Sequence, residues 1–134
     1  MKKLKIVYLI GIVMFLAVSQ VQAQGIEFFH GTFKEAQVKA QKEGKLLFMD
    51  FYTSWCGPCK VMARNYFTLE SVGKVYNAKY ICLKVDAEKG EGPALAKKYG
   101  VKVYPTLVYA KPDGTEIKQV KGLKKEQQLI ELAK

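Results

Sequence analysis

Leu46-Leu47-Phe48-Met49-Asp50-Phe51-Tyr52-Thr53-Ser54-Trp55-Cys56-Gly57-Pro58-Cys59-Lys60 decides how this 134-residue chain is read. Its first seven residues are an apolar run broken by one carboxylate, with Gly44 before them and Thr53-Ser54 after. A run of that length and setting predicts a buried strand. Beyond Cys59 the period changes: Met62, Ala63, Tyr66 and Phe67 recur at helical spacing, with Lys60 and Arg64 on the other side. Cys56 therefore falls at the mouth of a helix, where free backbone N–H groups and the macrodipole favour a thiolate over a thiol. Pro58 suits a first helical turn, because the N–H it lacks has no intrahelical partner there. Two thiols three positions apart on such a junction can close into a disulfide and reopen.

Elements can be placed outward from this junction. Ile26-Glu27-Phe28-Phe29 reads as a short first strand, and Thr32-Phe33-Lys34-Glu35 as a capping box opening a helix to about Glu43, with Phe33, Ala36 and Ala40 inward. Gly44 ends that helix. After the motif helix loosens near Thr68, Ser71 is placed as the cap of a further helical piece through Val72, Val75 and Tyr76. Tyr80 to Asp86 reads as a strand, 88–92 as a polar loop, and Pro93 to Tyr99-Gly100 as a short helix. Thr106 to Ala110 and Thr115 to Val120 read as strands joined by a turn at Lys111-Pro112-Asp113-Gly114. A last helix runs from about Leu123 to Ala133, turning Leu129, Ile130 and Leu132 inward. This order predicts an α/β fold, a central mixed β-sheet flanked by helices on both faces.

The first residues read as a leader. Lys2, Lys3 and Lys5 precede a 13-residue apolar run, Ile6 to Val18, and Val21-Gln22-Ala23 supplies a small-residue cleavage pattern. The run is short of the roughly 20 residues a spanning helix needs. The expectation is a cleaved signal peptide over 1–23, one domain over 24–134, and a periplasmic location; an N-terminal membrane anchor is the alternative. Without the three leader lysines, 19 basic and 12 acidic residues leave a formal charge of +7, scattered along the chain rather than concentrated, which reads as solvated helix faces and not as a nucleic-acid stripe. Three cysteines in an exported chain argue against a structural disulfide framework. Cys82 is then single and reads as a small buried hydrophobe in its strand. Half of a zinc site is the other meaning of a Cys-x-x-Cys pair. Only Cys82 and His30 could complete it, neither in a paired spacing, so no metal is expected. His30 itself reads as a surface histidine.

The hexapeptide Trp55-Cys56-Gly57-Pro58-Cys59-Lys60 resembles that of the thioredoxin superfamily. Asp50 and Lys84 stand where those proteins carry a buried Asp and a Lys on the next strand. Tyr104-Pro105-Thr106 resembles their cis-proline segment, and Gly122 the glycine before the last helix. The resemblance runs from about Ile26 to the end, and the stretch holding Phe67, Val72, Tyr76 and Tyr80-Ile81 is similar to exported thioredoxin-like reductase domains. It implies a thioredoxin fold and a thiol–disulfide oxidoreductase without cofactor. In that chemistry Cys56 attacks, Cys59 resolves, and Asp50 beside Lys84 serves Cys59 as base. Trp55, Gly57, Pro58, Tyr104 and cis Pro105 would contact substrate. The implied partners are disulfide-containing exported proteins and a membrane thiol electron donor, with the protein itself a monomer. Gly-Pro between the thiols resembles the reducing members. Isomerase or oxidase activity, or a non-catalytic binding module, are the competing expectations.

Overall fold

A computed structural model describes residues 24–134; the leader expected over 1–23 lies outside the described residues. The elements are α1 (Phe33–Glu43), β1 (Leu46–Tyr52), α2 (Gly57–Asn65), α3 (Glu70–Lys79), β2 (Tyr80–Asp86), α4 (Gly92–Lys98), β3 (Thr106–Ala110), β4 (Glu116–Lys121) and α5 (Glu126–Leu132). The sheet order is β2-β1-β3-β4. β1 runs parallel to β2, in a register that sets Asp50 beside Lys84, and antiparallel to β3. β3 and β4 form an antiparallel hairpin.

Successive side chains of a strand leave on opposite faces, and β1 is buried on both. Leu47, Met49 and Phe51 meet Ala36 and Ala40 of α1 and Leu95 and Ala96 of α4 in one core. Phe48 meets Met62 of α2, Val72 and Tyr76 of α3 and Leu129 of α5 in the other. Asp50 leaves on the same face as Phe48. The helices thus cover both faces of a mixed sheet, as the element order predicts. Among the described residues, no helix is long and apolar enough to cross a membrane.

The Thr32/Glu35 capping box forms, and Gly44 closes α1 at φ 64°. Three expectations are corrected. The first strand over Ile26–Phe29 shrinks to one parallel bridge between Phe28 and Cys82. Its other backbone donors go elsewhere: Ile26 N–H to Phe67 O at 2.7 Å and Glu27 N–H to the Asn77 side chain at 2.9 Å. Ser71 does not cap α3. Leu69 holds the cap position, and the Ser71 hydroxyl, inside the first turn, donates to Glu126 of α5. α5 starts at Glu126 rather than Leu123, because Gly122 turns the chain at φ 80° and Lys125 is extended, its N–H donating to Gln128 Oε1 at 3.0 Å. Leu129 is fully buried, whereas Ile130 and Leu132 are only partly so.

The segment Gly25–Glu27 is strapped across α3. Asn77 both donates to Gly25 O at 2.9 Å and accepts from Glu27 N–H, and a Cβ on Gly73 would lie 2.0 Å from the Gly25 carbonyl oxygen. Gly73→Ala is therefore expected to expel the strap, lowering stability by about 1–3 kcal/mol. Hydrogen exchange at the Ile26 amide, with denaturant midpoints, checks this. An unchanged Ile26 amide would mean the strap tolerates the methyl group.

Candidate active site

At its C-terminal end β1 passes into a tight turn that carries Trp55 and delivers Cys56 to the head of α2. The Cys56 N–H donates to Thr53 O at 3.3 Å, closing the turn. Cys56 is the N-cap residue of α2, extended at φ −77° and ψ 108°, and its Sγ accepts from the Cys59 N–H at 3.2 Å. Pro58 occupies the first turn, where no N–H is needed. A disulfide joins Cys56 and Cys59, with Cα atoms 5.3 Å apart.

The two cysteines are almost equally enclosed, at 4% and 3% exposure. Exposure therefore does not separate them in this oxidised form. Position does: Cys56 sulfur sits at the positive end of the helix with a backbone N–H aimed at it, the setting that favours a thiolate. Cys59 lies one turn deeper. A Cβ added at Gly57 would meet nothing within 4 Å, so the surface beside the disulfide is open.

Trp55 is 67% exposed yet held at two points. Its indole N–H donates to Glu88 Oε1 at 2.6 Å, and its ring packs edge-to-face with Tyr104, centroids 6.0 Å apart. Glu88 is in turn anchored by its own N–H, which donates to Asp86 Oδ1 at 2.9 Å. Sequence reasoning missed Glu88, which stood in a segment read only as a polar loop; its partner is 33 residues away and no local pattern links them. The Tyr104–Pro105 peptide is cis. Gly122 N–H donates to Pro105 O at 2.8 Å, tying this segment to the end of β4. Because Phe51 pairs with Thr106, the end of β1 and the start of β3 converge, bringing Trp55, Cys56, Tyr104 and Pro105 to one edge of the molecule.

Asp50 lies beneath this edge, 1% exposed. Lys84 Nζ stands 3.5 Å from Asp50 Oδ2, an ion-pair distance without an aligned hydrogen bond, and neither oxygen receives a hydrogen bond from the protein. Burial pushes the Asp50 carboxyl up to about 6, with the Lys84 ammonium partly opposing it. Lys84 is partly exposed and also lies over the Tyr52 ring, 4.5 Å from its centroid. The Thr53 hydroxyl is likewise buried without a partner.

Cys82 is a free, buried thiol, pushed up to about 12 by burial, and packs as a small apolar residue away from the disulfide. His30 is exposed in the loop before α1. Among the described residues no cluster of three or more His, Cys, Asp or Glu could hold a metal ion. The redox group is the disulfide itself.

A family model described as a thioredoxin-like domain matches residues 33–134. The chain is 35% identical over 97 residues to thioredoxin-1 of Caenorhabditis elegans, covering 72% of this chain and 76% of that one. The matched stretch spans 58% of one further thioredoxin and 45% of another. Among solved structures, a candidate disulphide-isomerase from Bacteroides thetaiotaomicron is 41% identical, with a TM-score of 0.73 over 83% of this chain and 92% of that one. The oxidised DsbD c-terminal domain of Neisseria meningitidis is 29% identical, with a TM-score of 0.63 over 79% and 96%.

Proposed function

Since this chain belongs to the thioredoxin superfamily of thiol–disulfide oxidoreductases, we propose that it works as a reductase of disulfides in exported proteins. The observation that carries the reading is the Cys56–Cys59 disulfide at the head of α2, open on its Gly57 side.

In the reduced protein the Cys56 thiolate attacks one sulfur of a substrate disulfide. A Cys56–substrate bond forms, the substrate S–S bond breaks, and the other substrate sulfur leaves as thiolate. Cys59 then attacks the Cys56 sulfur, closing the internal disulfide and expelling the second substrate thiolate, so two electrons pass from the dithiol to the substrate. Asp50, with oxygens free to accept, takes the Cys59 proton as it attacks. The open Gly57-Pro58 face, the Trp55 and Tyr104 rings and the Tyr104-Pro105 backbone receive an extended substrate segment. The leader over 1–23 would deliver the domain to the periplasm, free or held by an N-terminal anchor. Reduction in an oxidising compartment then needs a membrane thiol carrier to restore the dithiol.

A second reading, isomerase, is favoured by the likeness to the Bacteroides thetaiotaomicron protein. Redox poise separates the two. Gly57-Pro58 without a histidine between the thiols points to a potential near thioredoxin's, about −270 mV. Equilibration against glutathione, read through the fluorescence of Trp55, the chain's single tryptophan, measures it. A potential above about −180 mV, the isomerase range, would remove the reductase reading.

A further inference from the structure

Lysines far apart in sequence gather around the disulfide once the chain is folded. Lys60 follows Cys59 on α2 and is exposed, as is Lys102, two residues before Tyr104. Lys121, also exposed, pairs with Thr106 and precedes Gly122, whose N–H donates to Pro105 O. The Lys124 ammonium donates to the carbonyls of Lys121 at 2.7 Å and Gly122 at 3.3 Å, while its N–H lies 3.5 Å from Met62 Sδ on α2. Three separate segments therefore bring positive charge to the edge where the disulfide lies. No carboxylate among the described residues pairs with any of the four. Two carboxylates stand at the same edge and keep their charge, Glu88 accepting from the Trp55 indole and Asp86 from the Glu88 N–H, so the four ammonium groups outnumber them and the balance is positive.

Exposed apolar side chains stand among these lysines. Of the five large hydrophobic residues exposed among the described residues, Trp55 directly precedes Cys56 and Val103 directly precedes Tyr104. Exposed apolar side chains bordered by an excess of ammonium groups complement a segment of opposite character. We propose that the favoured substrates present their disulfide in an acidic segment, with Asp or Glu flanking the attacked cysteine and an apolar side chain to lie on Trp55 and Val103. The proposal rests on the oxidoreductase reading and names its substrate class. Exposed charges act mainly by steering encounter, so the preference belongs in the bimolecular rate and weakens with salt.

The test uses three disulfide peptides of one length and one apolar pattern, flanked by Glu, by Gln or by Lys. Single-turnover oxidation of the reduced protein by each is followed through Trp55 fluorescence, at about 0.02 M and about 0.5 M ionic strength. The Glu peptide is expected to react about tenfold faster than the Lys peptide at low salt, narrowing to about twofold at high salt. In Lys102→Glu/Lys121→Glu the ratio of the two rates, taken within the variant, is expected to invert. Equal rates for all three peptides, or an unchanged ratio in the variant, would overturn the acidic preference and leave the oxidoreductase reading standing. Oxidation by none of the peptides would overturn that reading and this proposal with it.

Discussion

Cys59→Ser is expected to accumulate a covalent mixed disulfide with substrate through Cys56, whereas Cys56→Ser traps nothing and loses turnover by at least about a thousandfold. The asymmetry follows from the head of α2. Cys56 caps the helix with an N–H directed at its sulfur, while Cys59 lies a turn further in. Without Cys59 the first exchange still occurs, but no internal thiol attacks the Cys56–substrate bond, so the intermediate persists. Non-reducing electrophoresis with a disulfide substrate, with and without dithiothreitol, shows which variant carries the adduct. Trapping through Cys59 would reverse the two roles. A Cys56→Ser protein that performs its whole activity undiminished would mean that the domain binds partner chains and turns nothing over.

Asp50→Asn is expected to change both catalysis and the pH dependence of stability. The carboxyl titrates near 3.8 in the unfolded chain and near 6 in the fold. Between those values the folded state holds a proton that the unfolded state has lost, so protonation favours folding there. The contribution is fully present below the unfolded value, falls as pH rises through the folded one, and stays lost above it. Its size is about 3 kcal/mol. Asparagine cannot ionise, so the stability of Asp50→Asn relative to the parent should climb by about that amount between about pH 4 and about pH 7 and then level off. Denaturant midpoints of the two oxidised proteins give the difference directly, other titrating groups cancelling. In single-turnover experiments near neutral pH, formation of the mixed disulfide should change little, while its resolution by Cys59 slows on the order of a hundredfold. Parallel stability curves together with equal resolution rates would make Asp50 a structural residue.

The junction that organises the site was legible because its signals are local. An apolar run of strand length, two thiols at i and i+3, and a proline in a first helical turn all act between neighbours, and β1, β2 and β3 fall where they were expected. Asp50's burial was legible too, since large apolar residues on both sides of it leave no solvent face on a strand covered above and below. Where the reading slipped, a distant partner had intervened. Ile26 and Glu27 look like strand residues, but Phe67 and Asn77 take their N–H groups. Ser71 looks like a cap, but Glu126 from α5 takes its hydroxyl.

From sequence alone came the fold class, the redox pair and its place at a helix mouth, because residue type and spacing carry that information along the backbone. Only the tertiary structure decided that the two cysteines are equally enclosed when oxidised, that Glu88 holds Trp55, and that lysines reading as scattered solvated faces collect at one edge. These depend on which loops the sheet order brings together. Side chains 30 or more residues apart become neighbours only after β1, β3 and β4 have paired, and no local pattern encodes that closeness.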